Sequence, residues 1–197
     1  MNAIDIARTP DRELLEILGI TGVTMDLQEL FGFAKNRVRE PEASYMAAQK
    51  KLAAAKELYA RALASQMAEK VCLNTPRLCR DFLVSKLGHL DHEEFWCLWL
   101  DSQHSLILAE GLFRGSANEA NVYIREVAKR ALEVNATGLI IAHNHPSGVT
   151  EASNPDKEVT RLIRKTLDLI NVRLLDHIIV AGTATSSFAE KGLLNTL

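Results

Sequence analysis

The most constraining feature is the way one apolar segment ends. Gly138-Leu139-Ile140-Ile141-Ala142 runs directly into His143-Asn144-His145-Pro146. The apolar run reads as a short strand, and residues i and i+2 of a strand point to the same face. His143 and His145 can therefore offer two imidazoles to one ion. Pro146 cannot extend a hydrogen-bond ladder, so the chain leaves the sheet there. The loop from Ser147 to Ala152 returns to a helix N-terminus that carries Asp156. A fold that accepts this stretch must hold a strand end against a helix start.

The surrounding pattern supplies that fold. Phe95–Leu100 and Leu106–Ala109 read as buried strands around the turn Asp101-Ser102-Gln103. Asn121–Val134 and Pro155–Ile170 have helical apolar spacing, and Leu174–Ala181 is another strand. Strands alternating with helices predict an α/β (α+β) sandwich, a mixed β-sheet flanked by helices. Residues 1–90 look helical. Pro10–Leu18 is a short helix broken by Gly19 and Gly22, and Gln28–Phe33 can continue it. Pro41–Lys70 is a long helix with Leu52, Ala55, Leu58, Tyr59, Ala62 and Leu63 on one face. Asn74-Thr75-Pro76 marks a boundary and a helix cap. The chain of 197 residues thus divides into a small N-terminal helical region, 1–72, and a main domain, 73–197.

Two neutral nitrogens and a carboxylate suit zinc, and three protein ligands leave a fourth position for water, the catalytic pattern. Local structure offers a second use for the same residues. Ser153-x-x-Asp156 before an apolar helix is also a capping box. Cap and ligand are compatible, since Ser153 can start the helix while Asp156 turns to the ion. The whole pattern, His-x-His-Pro, six residues, then Ser-x-x-Asp, favours metal binding at His143, His145 and Asp156.

That pattern resembles the JAMM motif of the MPN-domain metallopeptidases. The wider context is similar to one branch, the RadC family: His143-Asn144-His145-Pro146-Ser147-Gly148, Leu175-Asp176-His177-Ile178-Ile179-Val180, Glu190-x-Gly192-Leu193-Leu194, Phe113-Arg114-Gly115-Ser116 and Tyr123-x-Arg125-Glu126-Val127. The likeness runs from about residue 73 to the end and implies an MPN/JAB-type sheet and a zinc-dependent hydrolase acting on a peptide or isopeptide bond. It implies two histidines and an aspartate as zinc ligands, and an upstream glutamate as general base. The stretch Glu93-Glu94-Phe95 followed by an apolar strand ending in Leu100-Asp101 places that base at Glu93, with Glu94 the alternative because a one-residue slip exchanges strand faces. Glu110 and Glu119 fall outside the motif. Ser153 would stabilise the oxyanion, with Ser147 a poorer match. Asp176 or His177 could orient an imidazole, and a satisfied core histidine is the plainer reading of His177.

The resemblance weakens at the N-terminus. RadC-like chains usually carry a helix-hairpin-helix element there, whose glycine turn offers amides to phosphate. Lys50–Arg61 resembles the helix after that turn, but residues 40–46 before it contain no glycine. With a net charge of −2 there is no global basic excess either, so nucleic-acid binding is expected to be weak. A DNA-repair or recombination accessory protein is the competing function; Lys50, Lys51, Lys56, Arg61, Arg161, Arg164 and Lys165 are its available cations. A metal-free MPN scaffold is a third, which the intact ligand set disfavours. Three cysteines, Cys72, Cys79 and Cys97, show no C-x-x-C spacing, and Cys97 reads as a small buried hydrophobe. No secretory signal and no membrane-length apolar run is visible, which predicts a cytoplasmic setting.

Overall fold

A computed structural model describes residues 10–20, 43–69, 76–115 and 120–196. The expected helix over Gln28–Phe33, the break at Gly22, residues 40–42 of the glycine-free stretch, Asn74-Thr75 of the cap, Cys72, Ser116 and Glu119 lie outside these. The chain forms two compact units, Met1–Leu58 and Tyr59–Leu197.

In the first unit, α1 (Asp11–Ile17) and the first part of α2 (Ala43–Glu69) contribute Leu15, Ala48 and Leu52 to a small cluster with Ile20. Gly19 has φ 65°, where a side chain would be strained, and its carbonyl accepts a hydrogen bond from Lys51.

The second unit is built on α3 (Pro76–Leu87), β1 (Glu94–Leu100), β2 (Leu106–Arg114), α4 (Ala120–Glu133), β3 (Gly138–Asn144), α5 (Asn154–Asp168), β4 (Arg173–Ala181) and β5 (Ala184–Ser187). A 3-10 turn follows at Leu193–Thr196. The strands form one mixed sheet in the order β2-β1-β3-β4-β5; β3 and β4 are parallel and the other pairs antiparallel. This is the helix-flanked α/β sandwich that the alternating pattern predicts. One face carries Leu98, Leu100, Ile140, Ala142, Ile178 and Val180 under Phe82, Leu83 and Leu87 of α3, with Ala60, Leu63 and Met67 in the same cluster. The other face carries Cys97, Trp99, Leu139 and Ile141 under Val127 and Ala131 of α4 and Val159, Ile163 and Leu167 of α5. The Val, Leu, Ile, Phe and Met side chains among these contribute about 1.5–3 kcal/mol each.

Both helices on that second face end on an asparagine in the left-handed region. Asn135 has φ 54° and Asn171 φ 56°, and the next amides return to the helix: Ala136 N–H to Ala131 O and Val172 N–H to Leu167 O, each at 3.0 Å. Each cap turns the chain straight into a strand.

The elements differ from expectation in three places. β2 continues past Ala109 to Arg114, because Glu110, which interrupts the apolar pattern, is neutralised in place. Its carboxylate accepts from Trp99 Nε1 at 2.8 Å and from Arg130 at 2.7 and 3.2 Å. β3 runs on through His143 and Asn144. β5 is an element that the apolar pattern does not predict: it is short and polar, and the two-residue loop Gly182-Thr183, with Gly182 at φ 61°, is the hairpin signal for it. No helix among the described residues is long and apolar enough to cross a membrane.

Candidate metal centre

Strand alternation and one cross-strand pair assemble the site. His143 lies opposite Phe95 of β1 and opposite Ile179 of β4. His145 is one step past β3, yet its amide still donates to Val180 O at 2.8 Å, so its ring stays on the His143 side. The two rings meet edge to face at 4.7 Å. The turn that follows is closed by Gly148 N–H to His145 O at 3.1 Å, with Pro146 second in the turn and Gly148 at φ 81°.

Asp156 arrives from α5. Ser153 is the N-cap: its Oγ accepts from Asp156 N at 3.2 Å, and its own N–H donates to Asp156 Oδ2 at 2.8 Å. The Ser153 hydroxyl donates to the same Oδ2 at 2.6 Å. The capping box therefore orients the carboxylate as well as starting the helix. Asp156 Oδ1 lies 3.1 Å from His143 Nε2, and Oδ2 lies 3.5 Å from His145 Nε2. The two Nε2 atoms are 2.9 Å apart.

The outer nitrogens of both rings are already engaged. His145 Nδ1–H donates to Val149 O at 2.7 Å, and His143 Nδ1 is 2.8 Å from His177 Nε2. Two Nε2 atoms and a carboxylate, with His143 and Asp156 buried, thus converge on one point and can hold a metal ion. Such a donor set demands a positive charge at its centre. The same demand appears in the proton affinities. The Asp156 carboxylate raises the His145 imidazole, against the opposing effect of burial, and more distant Glu93 adds to the rise. Burial would raise the Asp156 carboxyl, but His143, His145 and the Ser153 hydroxyl outweigh it and hold it far below the carboxylate range. Burial pushes His177 well below the ordinary imidazole value, with His143 adding to the shift.

A cleft opens onto this point, lined by Glu93, Glu94, Phe95, Gly115, His143, Asp156 and Val159. Residues 73–193 match the family described as the RadC-like JAB domain. The chain belongs to the RadC family. It is 50% identical to a UPF0758 protein of Leptothrix cholodnii over 75% of its own length and 67% of that relative. It is 48% identical to one of Methylibium petroleiphilum over 73% of its length and 64% of that relative. A UPF0758 protein of Polaromonas is 41% identical over 96% of this chain and 93% of its own. Two of these three relatives are thus matched over only about two thirds of their length.

Within this RadC-family domain the two neighbouring glutamates part company. Glu94, Trp96, Leu98 and Leu100 share one face of β1, while Phe95, Cys97 and Trp99 share the face of His143. The Glu94 carboxylate is taken up by His92 Nε2 and Trp96 Nε1, each at 3.0 Å. Glu93, the residue before β1, lines the cleft, and its carbonyl accepts from Gly115 N at 3.0 Å. Of the other sequence candidates, Ser147 is exposed in the turn and Glu110 is tied to Arg130 and Trp99. Asp176 accepts from Ser187 Oγ at 2.6 Å and from Ala189 N at 2.9 Å, which ties down the segment after β5.

Sequence reasoning left Asn144 without a role. It is 2% exposed, accepts from Glu94 N at 2.8 Å and donates from Nδ2 to His92 O at 2.8 Å. The two bonds bracket Glu93. An asparagine set between the two histidines of the pattern is the signal that could have found it.

Proposed function

We propose that this chain is a zinc-dependent hydrolase of the JAMM type that cleaves a peptide or isopeptide bond, with His143, His145 and Asp156 as ligands. The observation that carries the reading is the convergence of two Nε2 atoms and a carboxylate whose other hydrogen-bonding positions are already filled by Val149, His177 and Ser153. That set matches the three-ligand, nitrogen-and-oxygen pattern of catalytic zinc. Zinc, when bound, supplies a Lewis acid that makes a water deprotonable near neutral pH.

The chain's own groups do the rest. Glu93, on the cleft wall, takes a proton from the attacking water and returns it to the departing amine, so that the elements of water add across the C–N bond. The Asn144 clamp and the Gly115 amide hold the backbone of Glu93 in place. Ser153 serves the oxyanion by turning its hydroxyl from Asp156 Oδ2 toward the substrate. Val159 and Phe95 give the cleft an apolar wall.

The test is metal analysis joined to cleavage of a mixed peptide and isopeptide library. Wild type should hold close to one zinc per chain and His143→Ala/His145→Ala none. Glu93→Gln should keep the zinc and lose cleavage. Unchanged zinc in the double variant would refute the ligand set, and a dead Glu94→Gln beside an active Glu93→Gln would move the base.

A further inference from the structure

Thr160 carries no role in the chemistry above and His177 only fills the outer position of His143, yet both are fully buried against the ligands. Thr160 Oγ1 lies 2.5 Å from the carbonyl oxygen of Asp156, one turn earlier in α5. It also lies 2.6 Å from His177 Nδ1. His177 Nε2 in turn lies 2.8 Å from His143 Nδ1. Phe188 stacks on the His177 ring at 4.6 Å between centroids, and Phe95 meets it edge-on at 6.3 Å. No exposed position is left on the ring through which it could change partners.

We infer that Thr160 and His177 are positioning residues, a proton-ordered relay that fixes His143 as the tautomer with a bare Nε2 facing the ion. The inference rests on the ligand assignment proposed above. Counting protons sets its direction. A carbonyl oxygen only accepts, so the single hydroxyl proton of Thr160 goes to Asp156 O. Thr160 Oγ1 must then accept from His177 Nδ1–H. A neutral imidazole has one N–H, so His177 Nε2 accepts from His143 Nδ1–H. His143 Nε2 is left with its lone pair. The opposite order would set two oxygens 2.5 Å apart with no proton between them. It would also put an N–H on His143 Nε2, which cannot ligate. The relay starts on the backbone of one ligand, Asp156, and ends on the ring of another, so helix α5 and strand β3 are adjusted together.

The orientation of His177 depends on a one-residue irregularity in β4. Leu139 pairs with Leu174 and Ile140 with Asp176, so Leu175 is skipped. Leu174 and His177, three residues apart, therefore both face the α4–α5 side. Regular alternation would have turned His177 away.

The test is zinc affinity by chelator competition for wild type, Thr160→Val and Thr160→Ser, beside the thermal midpoint of each metal-free protein. Ring 15N–1H correlation spectra of zinc-loaded wild type complete it. Outer hydrogen-bond partners of metal ligands typically change affinity 10–100-fold. Thr160→Val should bind zinc roughly 10–100-fold more weakly. Thr160→Ser, which keeps the hydroxyl, should recover most of the loss whatever the midpoints do. The spectra should show His177 protonated at Nδ1. Unchanged affinity in Thr160→Val, no recovery in Thr160→Ser, or a His177 protonated at Nε2 would overturn the relay while leaving the zinc site standing. A wild type that takes up no zinc would overturn both.

Discussion

Asn144 offers a way to test the frame of the site without a substrate. Its side chain replaces two ladder bonds that β1 lacks at its start, one to Glu94 N and one to His92 O. Asn144→Ala removes both. A typical net hydrogen bond contributes about 1 kcal/mol, and leaving a buried partner unsatisfied costs about 1–3 kcal/mol. Asn144 is 2% exposed, while its partners belong to partly buried residues that water can reach in part, so the lower end of each range applies. The sum is about 2–4 kcal/mol. At roughly 2–4 °C per kcal/mol for a domain of this size, the midpoint should fall by about 4–16 °C. Both tryptophans, Trp96 and Trp99, lie in β1, so their fluorescence during urea or thermal unfolding reports this part of the sheet directly. Asn144→Asp is the informative partner variant. It keeps the acceptor for Glu94 N and sets a carboxylate oxygen against the His92 carbonyl, so it should be no more stable than Asn144→Ala despite its closer shape. Both should also lose turnover at full zinc content, because Glu93 sits between the two lost bonds. A midpoint within 2 °C of wild type for Asn144→Ala, with unchanged turnover, would refute the clamp.

Ser153→Ala should lose about 0.5–2 kcal/mol as an N-cap and cut turnover on the order of a hundredfold, whereas Ser153→Asp keeps a cap acceptor but sets a second carboxylate against Asp156 Oδ2, so it should be less stable than wild type and inactive. Normal turnover in zinc-loaded Ser153→Ala would reduce the residue to a cap. Glu110 is held below its ordinary value by Arg130, with Trp99 assisting against burial. Its ion pair therefore stabilises above the unfolded carboxyl value of about 4.3 and fades as pH falls through the lower folded value. The stability gap between wild type and Glu110→Gln, measured by urea unfolding, should be full at pH 6 and close toward pH 3; a gap independent of pH would contradict the pairing. Residues 1–72 should bind duplex DNA weakly or not at all in a salt-controlled mobility shift, given the stretch without glycine before Lys50, and sub-micromolar binding at physiological salt would sink this.

The local devices are legible in the residues alone, because each is written in spacing along one element. His143 and His145 two apart on a strand, Pro146 ending it, Ser153 and Asp156 three apart at a helix start, and Val159, Ile163 and Leu167 four apart on one helix face all follow from the repeat lengths of strand and helix. The alternation of strands and helices determined the layered α/β class in the same way. Tertiary pairing decided what short-range spacing cannot hold. Glu93 and Glu94 differ by one residue, and which of them shares a face with His143 depends on how β1 is registered against β3, fifty residues away. Glu110 breaks an apolar strand pattern, and only Arg130 and Trp99, brought in from α4 and β1, make it tolerable inside β2. His177 reads as an ordinary core histidine in an apolar strand. It reaches His143 because β4 skips Leu175 while pairing with β3, and a one-residue offset in a period-two structure reverses every side chain beyond it.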